Sequence, residues 1–119
     1  MVQVLLVEDE PEVAELTRDA LADAGFSVIV ANDDRSAYRA LEGEPRSFAA
    51  LVTDINLGAG LTGFDIARRA RELNREIKVI YISGQGPHPG RFSVADALMV
   101  TKPFAPRELA EQIVAFVEA

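Results

Sequence analysis

The sequence predicts an α/β protein, a single domain over residues 1–119 built as a doubly wound, five-stranded parallel sheet with helices on both faces. Three observations carry this. Five short apolar runs alternate with four or five segments of helical period. The runs are apolar throughout rather than on alternate residues, which is how strands covered on both faces read. Polar residues then recur at one kind of place, immediately after the runs. A chain of 119 residues, 49% hydrophobic with a mean hydropathy of +0.09, is long and apolar enough to fold around one core.

Val2 to Val7 is apolar but for Gln3 and ends abruptly at Glu8-Asp9-Glu10. Pro11, its φ preset and with no N–H to satisfy, suits the first turn of a helix. Val13, Leu16, Ala20, Leu21 and Ala24 follow at helical spacing, and Gly25 is a natural stop. Phe26 to Ala31 is the second strand. Asn32-Asp33-Asp34 then offers capping oxygens to a short helix carrying Ala37, Ala40 and Leu41, which ends before Gly43 and Pro45. Phe48 to Val52 is the third strand and delivers Asp54. Thr62-Gly63-Phe64-Asp65 resembles a capping box with Asp in place of Glu, opening a helix from about Thr62 to Asn74 with Ile66, Ala67, Ala70 and Leu73 on one face. Ile77 to Ile82 is the most β-prone run and ends in Ser83-Gly84. Gly84 to Gly90 holds three glycines and two prolines, so the fourth helix is expected to be short or irregular. Ala97 to Val100 is the fifth strand, leading into Thr101-Lys102-Pro103-Phe104. Pro106 opens a last helix whose Leu109, Ile113, Phe116 and Val117 fall at i, i+4, i+7 and i+8.

Composition narrows the chemistry. Zero cysteines exclude disulfides and thiolate metal sites, and the single histidine, His88, rules out a multi-histidine metal site. His88 lies between two prolines and reads as a surface loop residue. A net charge of −7 and a pI near 4.6 argue against direct binding of nucleic acid. No apolar run is long enough to span a membrane and no signal segment opens the chain, so the expected location is cytoplasmic.

In open parallel sheets ligands bind outside the carboxyl ends of the strands. There the first, third, fourth and fifth strands deliver Glu8-Asp9, Asp54, Ser83 and Lys102. Each has a plain reading alone: an acidic helix start, a polar strand end, a turn and a solvated lysine. Together they are a constellation around Asp54, a carboxylate expected to sit on a rigid strand end and open to solvent. Three carboxylates converging on one crevice repel unless a cation joins them, and a purely oxygen donor set favours Mg²⁺. A carboxylate beside Mg²⁺ can act as a nucleophile toward phosphorus. The phosphoryl oxygens then need neutralising, for which Lys102 supplies an ammonium and Ser83 a hydroxyl.

These positions carry a resemblance over essentially the whole chain. It resembles the receiver domain of two-component response regulators, of the single-domain, chemotaxis-regulator-like kind. That family has an acidic pair after the first strand, a phosphoacceptor Asp after the third, Thr or Ser after the fourth and Lys-Pro after the fifth, matched here by Glu8-Asp9, Asp54, Ser83 and Lys102-Pro103. Asp54 to Asp65 is similar to single-domain regulators of α-proteobacterial stress and histidine-kinase networks. The resemblance implies a flavodoxin-like fold with strand order 2-1-3-4-5. It implies Mg²⁺ held by Asp9, Asp54 and the backbone carbonyl of Asn56, with Glu8 nearby, outside the direct ligands or reaching the metal through water. It implies a phosphoryl donor that is a histidine kinase or histidine phosphotransfer protein, and a chain that catalyses only its own phosphorylation and dephosphorylation, with Asn56 and Gln85 flanking the path of attacking water.

Two departures bear on the output. Met99 stands where many receivers have an aromatic switch residue, and Gly84 to Gly90 replaces a regular fourth helix. The expected consequence is an order–disorder shift between the fourth and fifth strands. A downstream protein would then read the surface of the fourth helical segment, the fifth strand and the last helix, around Phe92, Met99 and Phe104. A flavin-binding electron carrier on a similar fold would need a phosphate cradle after the first strand, where Glu8-Asp9-Glu10-Pro11 would repel phosphate. A receiver-like interaction module without phosphotransfer is the other alternative, and the intact acidic pair, Asp54 and Lys102 speak against it.

Overall fold

The blocks of sequence become β1 (Gln3–Val7), α1 (Pro11–Asp23), β2 (Ser27–Ala31), α2 (Asp34–Gly43), a 3-10 turn (Pro45–Ser47), β3 (Phe48–Asp54), α3 (Gly63–Leu73), β4 (Lys78–Ser83), β5 (Leu98–Thr101) and α4 (Pro106–Glu118). The structure is a computed structural model and describes residues 2–55, 62–84 and 93–118. Among the described residues no helix lies between β4 and β5. The expectations for Asn56, Gln85, His88, Phe92 and the stretch after Gly84 lie outside the described residues.

The sheet is parallel throughout, in the order β2-β1-β3-β4-β5. Alternate side chains along each strand feed two cores. Val4, Leu6, Ala50, Val52, Ile80 and Ile82 pack with Leu21 of α1 and with Leu109, Ala110 and Ile113 of α4. Leu5, Val7, Leu51, Val79 and Tyr81 pack with Ala37 and Leu41 of α2 and with Ile66, Ala67 and Ala70 of α3. Because helices cover both faces, neither set of alternate positions tolerates polar residues, and the runs are apolar throughout.

Local signals fix the helix starts. Asp33 caps α2 by accepting from the Ser36 N–H at 2.7 Å. The Thr62 N–H donates to the Asp65 carboxylate at 3.1 Å, so the Asp version of the capping box forms. Gly25, at φ +104, supplies the left-handed residue that stops α1.

Two expectations are corrected. The buried stripe of α1 is Ala14, Thr17 and Leu21, while Leu16 is 60% exposed and Ala24 lies outside the packed face. Both stripes have helical spacing and share Leu21, and packing against the sheet decides between them. The third, fourth and fifth strands also run further than their apolar runs, because Asp54 pairs in register with Ile82 and Ser83 with Thr101. Asp54 and Ser83 are thus part of the ladder and held by the strands, while Glu8 and Lys102 each follow the last residue of a strand.

Candidate functional site

Asp54 is the last residue of β3. Its position is fixed from several sides. Ile55 N–H donates to the Ile82 carbonyl at 3.0 Å, continuing the ladder one step past the carboxylate. The Thr53 hydroxyl donates to the Asp54 carbonyl at 3.0 Å. Gly63 N–H, at the start of α3, donates to the Ile55 carbonyl at 2.9 Å. Gly63 comes so close that a Cβ there would overlap the Asp54 carbonyl oxygen and stand 3.0 Å from its carbon. Only glycine permits that approach. Asp54 is 6% exposed, which corrects the expectation of an open carboxylate. The start of α3 and the side chain of Lys102 close over the strand end.

Lys102 Nζ donates to Asp54 Oδ2 at 3.0 Å and stands 3.9 Å from Glu8 Oε1. Burial works to lower its pKa, but the hydrogen bond to Asp54 and the charges of Asp54, Glu8 and Glu10 outweigh that and hold it above the ordinary lysine value. The Lys102-Pro103 peptide is cis. Glu8 is 2% exposed, and burial pushes its carboxyl up from 4.5 to about 7. The nearby Asp54 charge and a side-chain hydrogen bond with Asp9 add to the rise, while the Glu10 N–H, donating to Glu8 Oε2 at 3.2 Å, and the Lys102 charge oppose it. The Glu8 main chain is pinned between strands, its N–H donating to the Ala31 carbonyl at 3.0 Å and its carbonyl accepting from Asn32 Nδ2 at 3.3 Å.

The structure therefore brings Glu8, Asp54 and Lys102 into direct electrostatic contact across three strand ends. Ser83 is buried at the end of β4, and its carbonyl accepts from the Lys102 N–H at 2.7 Å. Asp9 is exposed at the rim, while Asn56 lies outside the described residues. Nothing in the sequence ranks Glu8 and Asp9 by burial; just past β1 Glu8 is buried and Asp9 is exposed. Gly63 and Asn32 were missed as site residues. Gly63 carries one faint signal, a residue of poor helix propensity at a helix start that already has a good cap.

The donor chemistry fits Mg²⁺. Glu8, Asp9 and Glu10 offer carboxylate oxygens within 4.8 Å of one another. Glu8 and Asp54 are nearly out of water, and among the described residues one ammonium, Lys102, pairs with both, which leaves those three ionised groups with a net negative charge. A hard cation relieves it, and among the described residues the side chains that can ligate a metal here are carboxylates, which are oxygen donors.

Residues 4–114 match the response regulator receiver domain family. The chain belongs to that family. The response regulator receiver protein CpdR of Brucella abortus (strain 2308) is 34% identical over 116 residues, covering 95% of this chain and 94% of that protein. The transcriptional regulatory protein TcrA of Mycobacterium tuberculosis is 32% identical over 111 residues, which are 91% of this receiver and 43% of the longer regulator. A receiver protein from Sinorhizobium medicae WSM419 superimposes with a TM-score of 0.91 at 28% identity, covering 99% of this chain and 95% of that one. TrrA from Thermotoga maritima, crystallised in complex with Mg²⁺ and BeF, has a TM-score of 0.84 at 24% identity, covering 98% of this receiver and 99% of its own chain. At that identity the likeness concerns the fold. As a receiver, the chain is a component of two-component signalling, and the alternation of strands and polar strand ends is the receiver architecture.

Proposed function

We propose that Asp54 is the phosphoacceptor of this receiver, taking a phosphoryl group in a Mg²⁺-dependent reaction from a phosphohistidine on a histidine kinase or histidine phosphotransfer protein. The observation that carries it is the Lys102 ammonium held 3.0 Å from a buried strand-end carboxylate, beside a second buried carboxylate with a raised pKa. Asp54 and Asp9 would hold the metal together with the Asn56 carbonyl, with Glu8 nearby, outside its direct ligands or reaching it through water. When bound, Mg²⁺ neutralises charge on the oxygens of the group being transferred.

Asp54 forms an O–P bond as the P–N bond to the donor imidazole breaks. The electron pair of that bond returns to the ring nitrogen, which is protonated from solvent. Lys102 moves its hydrogen bond from the carboxylate to a phosphoryl oxygen, and Ser83 donates to another. Burial of the cluster strengthens each contact and limits competing hydrolysis. Water attack on phosphorus later restores Asp54, so the domain catalyses only its own phosphorylation and dephosphorylation. Phosphorylation then sets how a protein partner is met at the surface of β5 and α4, or drains phosphoryl groups from the relay. TrrA, which shares this fold, was crystallised in complex with Mg²⁺ and BeF, and that is in keeping with a metal at this edge of the sheet.

Acetyl phosphate with Mg²⁺, followed by intact mass measurement, tests the assignment. Wild type gains one phosphoryl group and Asp54→Asn gains none. Equal gain in both would place the acceptor elsewhere.

A further inference from the structure

Tyr81 lies at the centre of the α2/α3 core, fully buried on β4, two residues before Ser83. Its hydroxyl accepts a hydrogen bond from the Val94 N–H at 3.1 Å. Val94 belongs to the turn that leads into β5, where Asp96 takes the left-handed conformation at φ 56 and the Ser93 hydroxyl donates to the Val94 carbonyl at 2.9 Å. The Tyr81 ring leans on Phe64 with centroids 4.9 Å apart and planes tilted by 56°. Phe64 directly follows Gly63, whose backbone is seated on the Asp54 carbonyl. Across the ladder, Tyr81 stands level with Thr53, the neighbour of Asp54, and with Met99, three residues before Lys102. One side chain thus touches both the element that fixes Asp54 and the turn that opens the strand carrying Lys102.

We propose that Tyr81 is a positioning residue that couples occupation of the Asp54 pocket to the anchoring of the turn at Val94. This inference rests on the phosphoacceptor reading of Asp54. The arrangement that sets Lys102 3.0 Å from Asp54 is the one in which the Tyr81 hydroxyl holds Val94 and the ring fills the space between α3 and β5. A group on Asp54 that draws Lys102 and the start of α3 inward firms the walls on either side of the ring. Met99 packs against the same cluster but has neither a ring nor a hydroxyl to fix one position. Tyr81 has both, and its hydroxyl has a defined partner, so it can distinguish two states of the turn where Met99 cannot. Coupling of this kind is reciprocal: whatever factor occupation adds to the anchor, the anchor adds to occupation.

Magnesium beryllofluoride, a stand-in for the phosphoryl group, provides the test on the full chain, with Tyr81→Phe as the variant because it deletes the hydroxyl and keeps the ring. In wild type, beryllofluoride slows exchange of the Val94 amide by between about two- and tenfold, the range a single net hydrogen bond supports. Tyr81→Phe binds beryllofluoride more weakly by the same factor and loses the Val94 response, while Tyr38→Phe behaves as wild type. A hydroxyl that serves packing alone would lower the melting temperature of Tyr81→Phe and leave beryllofluoride affinity unchanged, which overturns the proposal. Binding to wild type with no change at Val94 overturns it too and spares the phosphoacceptor reading. Failure of wild type to bind beryllofluoride sinks that reading and this inference with it.

Discussion

The two edges of the sheet use similar polar residues in opposite ways. At the amino edge, Arg71 Nε donates to the Ile77 carbonyl at 2.7 Å, Asn74 Nδ2 donates to the Phe48 carbonyl at 3.2 Å, and Asn74 Oδ1 accepts from the Glu76 N–H at 3.2 Å. Each of these groups meets a backbone partner at the start of a strand or in the turn before it. At the carboxyl edge, Glu8, Asp54 and Lys102 chiefly meet one another, the two carboxylates buried and the ammonium partly exposed. A charge matched to backbone closes a loop. Charges matched to one another leave an imbalance that a cation or a phosphoryl group can resolve, and that difference separates packing from chemistry.

The sharpest way to break the contrast is through Glu8. Its folded-state pKa of about 7 lies above the ordinary 4.5, so between those values the native protein binds more protons than the unfolded chain. The stability this contributes is fully present below about 4.5 and is lost as pH rises through about 7. With each tenfold change in proton affinity worth ~1.4 kcal/mol, the loss is on the order of 3 kcal/mol in metal-free protein. Denaturant titrations across that range should show it in wild type, flatten it in Glu8→Gln, and show Mg²⁺ restoring wild type at high pH. A wild-type profile as flat as the variant's would mean that the Glu8 carboxyl is not held in a dry pocket.

Lys102→Ala should keep metal binding but lose about 1.5–3 kcal/mol of interaction with the phosphorylated state, the worth of one charge-assisted hydrogen bond. Comparing the backbone shifts induced by beryllofluoride in variant and wild type checks this, and identical shifts would return Lys102 to the class of surface lysines. Gly63→Ala should cost about 1–3 kcal/mol in stability through overpacking and should slow phosphorylation by acetyl phosphate as Asp54 is pushed off its seat. A Gly63→Ala protein with the wild-type rate would show that α3 does not position the acceptor. Smallest is the amino edge, where Asn74→Ala should lower stability by about 1 kcal/mol and leave phosphoryl uptake at the wild-type rate. If uptake fell there as well, the division between the edges would fail.

The fold was legible because a parallel sheet covered on both sides leaves unalternated apolar runs, and the cap signals at Asp33 and Thr62 mark helix starts within a residue. Strand order was not legible from the runs, since nothing local tells β1 to pair with both β2 and β3; it came through the family resemblance. In the site, residue types were readable as strand ends. Distances were not, because Lys102 meets Asp54 across 48 positions of sequence and the closeness of Gly63 to the Asp54 carbonyl depends on how α3 docks. Burial of Asp54 and the inward turn of Glu8 escaped for the same reason. Leu16 was misplaced because two stripes of α1 have the helical period and only the sheet decides between them.

The main-chain hydrogen bond from Lys102 to the Ser83 carbonyl, at 2.7 Å, makes a mechanical yoke of two side chains with different chemistry. The hydroxyl sits on the last residue of β4 and the ammonium on the residue just past β5, and that bond joins their main chains. A ligand that pulls one drags the other. Their contributions to holding a phosphoryl group should therefore not add: Ser83→Ala and Lys102→Ala combined should cost less than the sum of the two, with a coupling of about 0.5–3 kcal/mol, as for residues in one network.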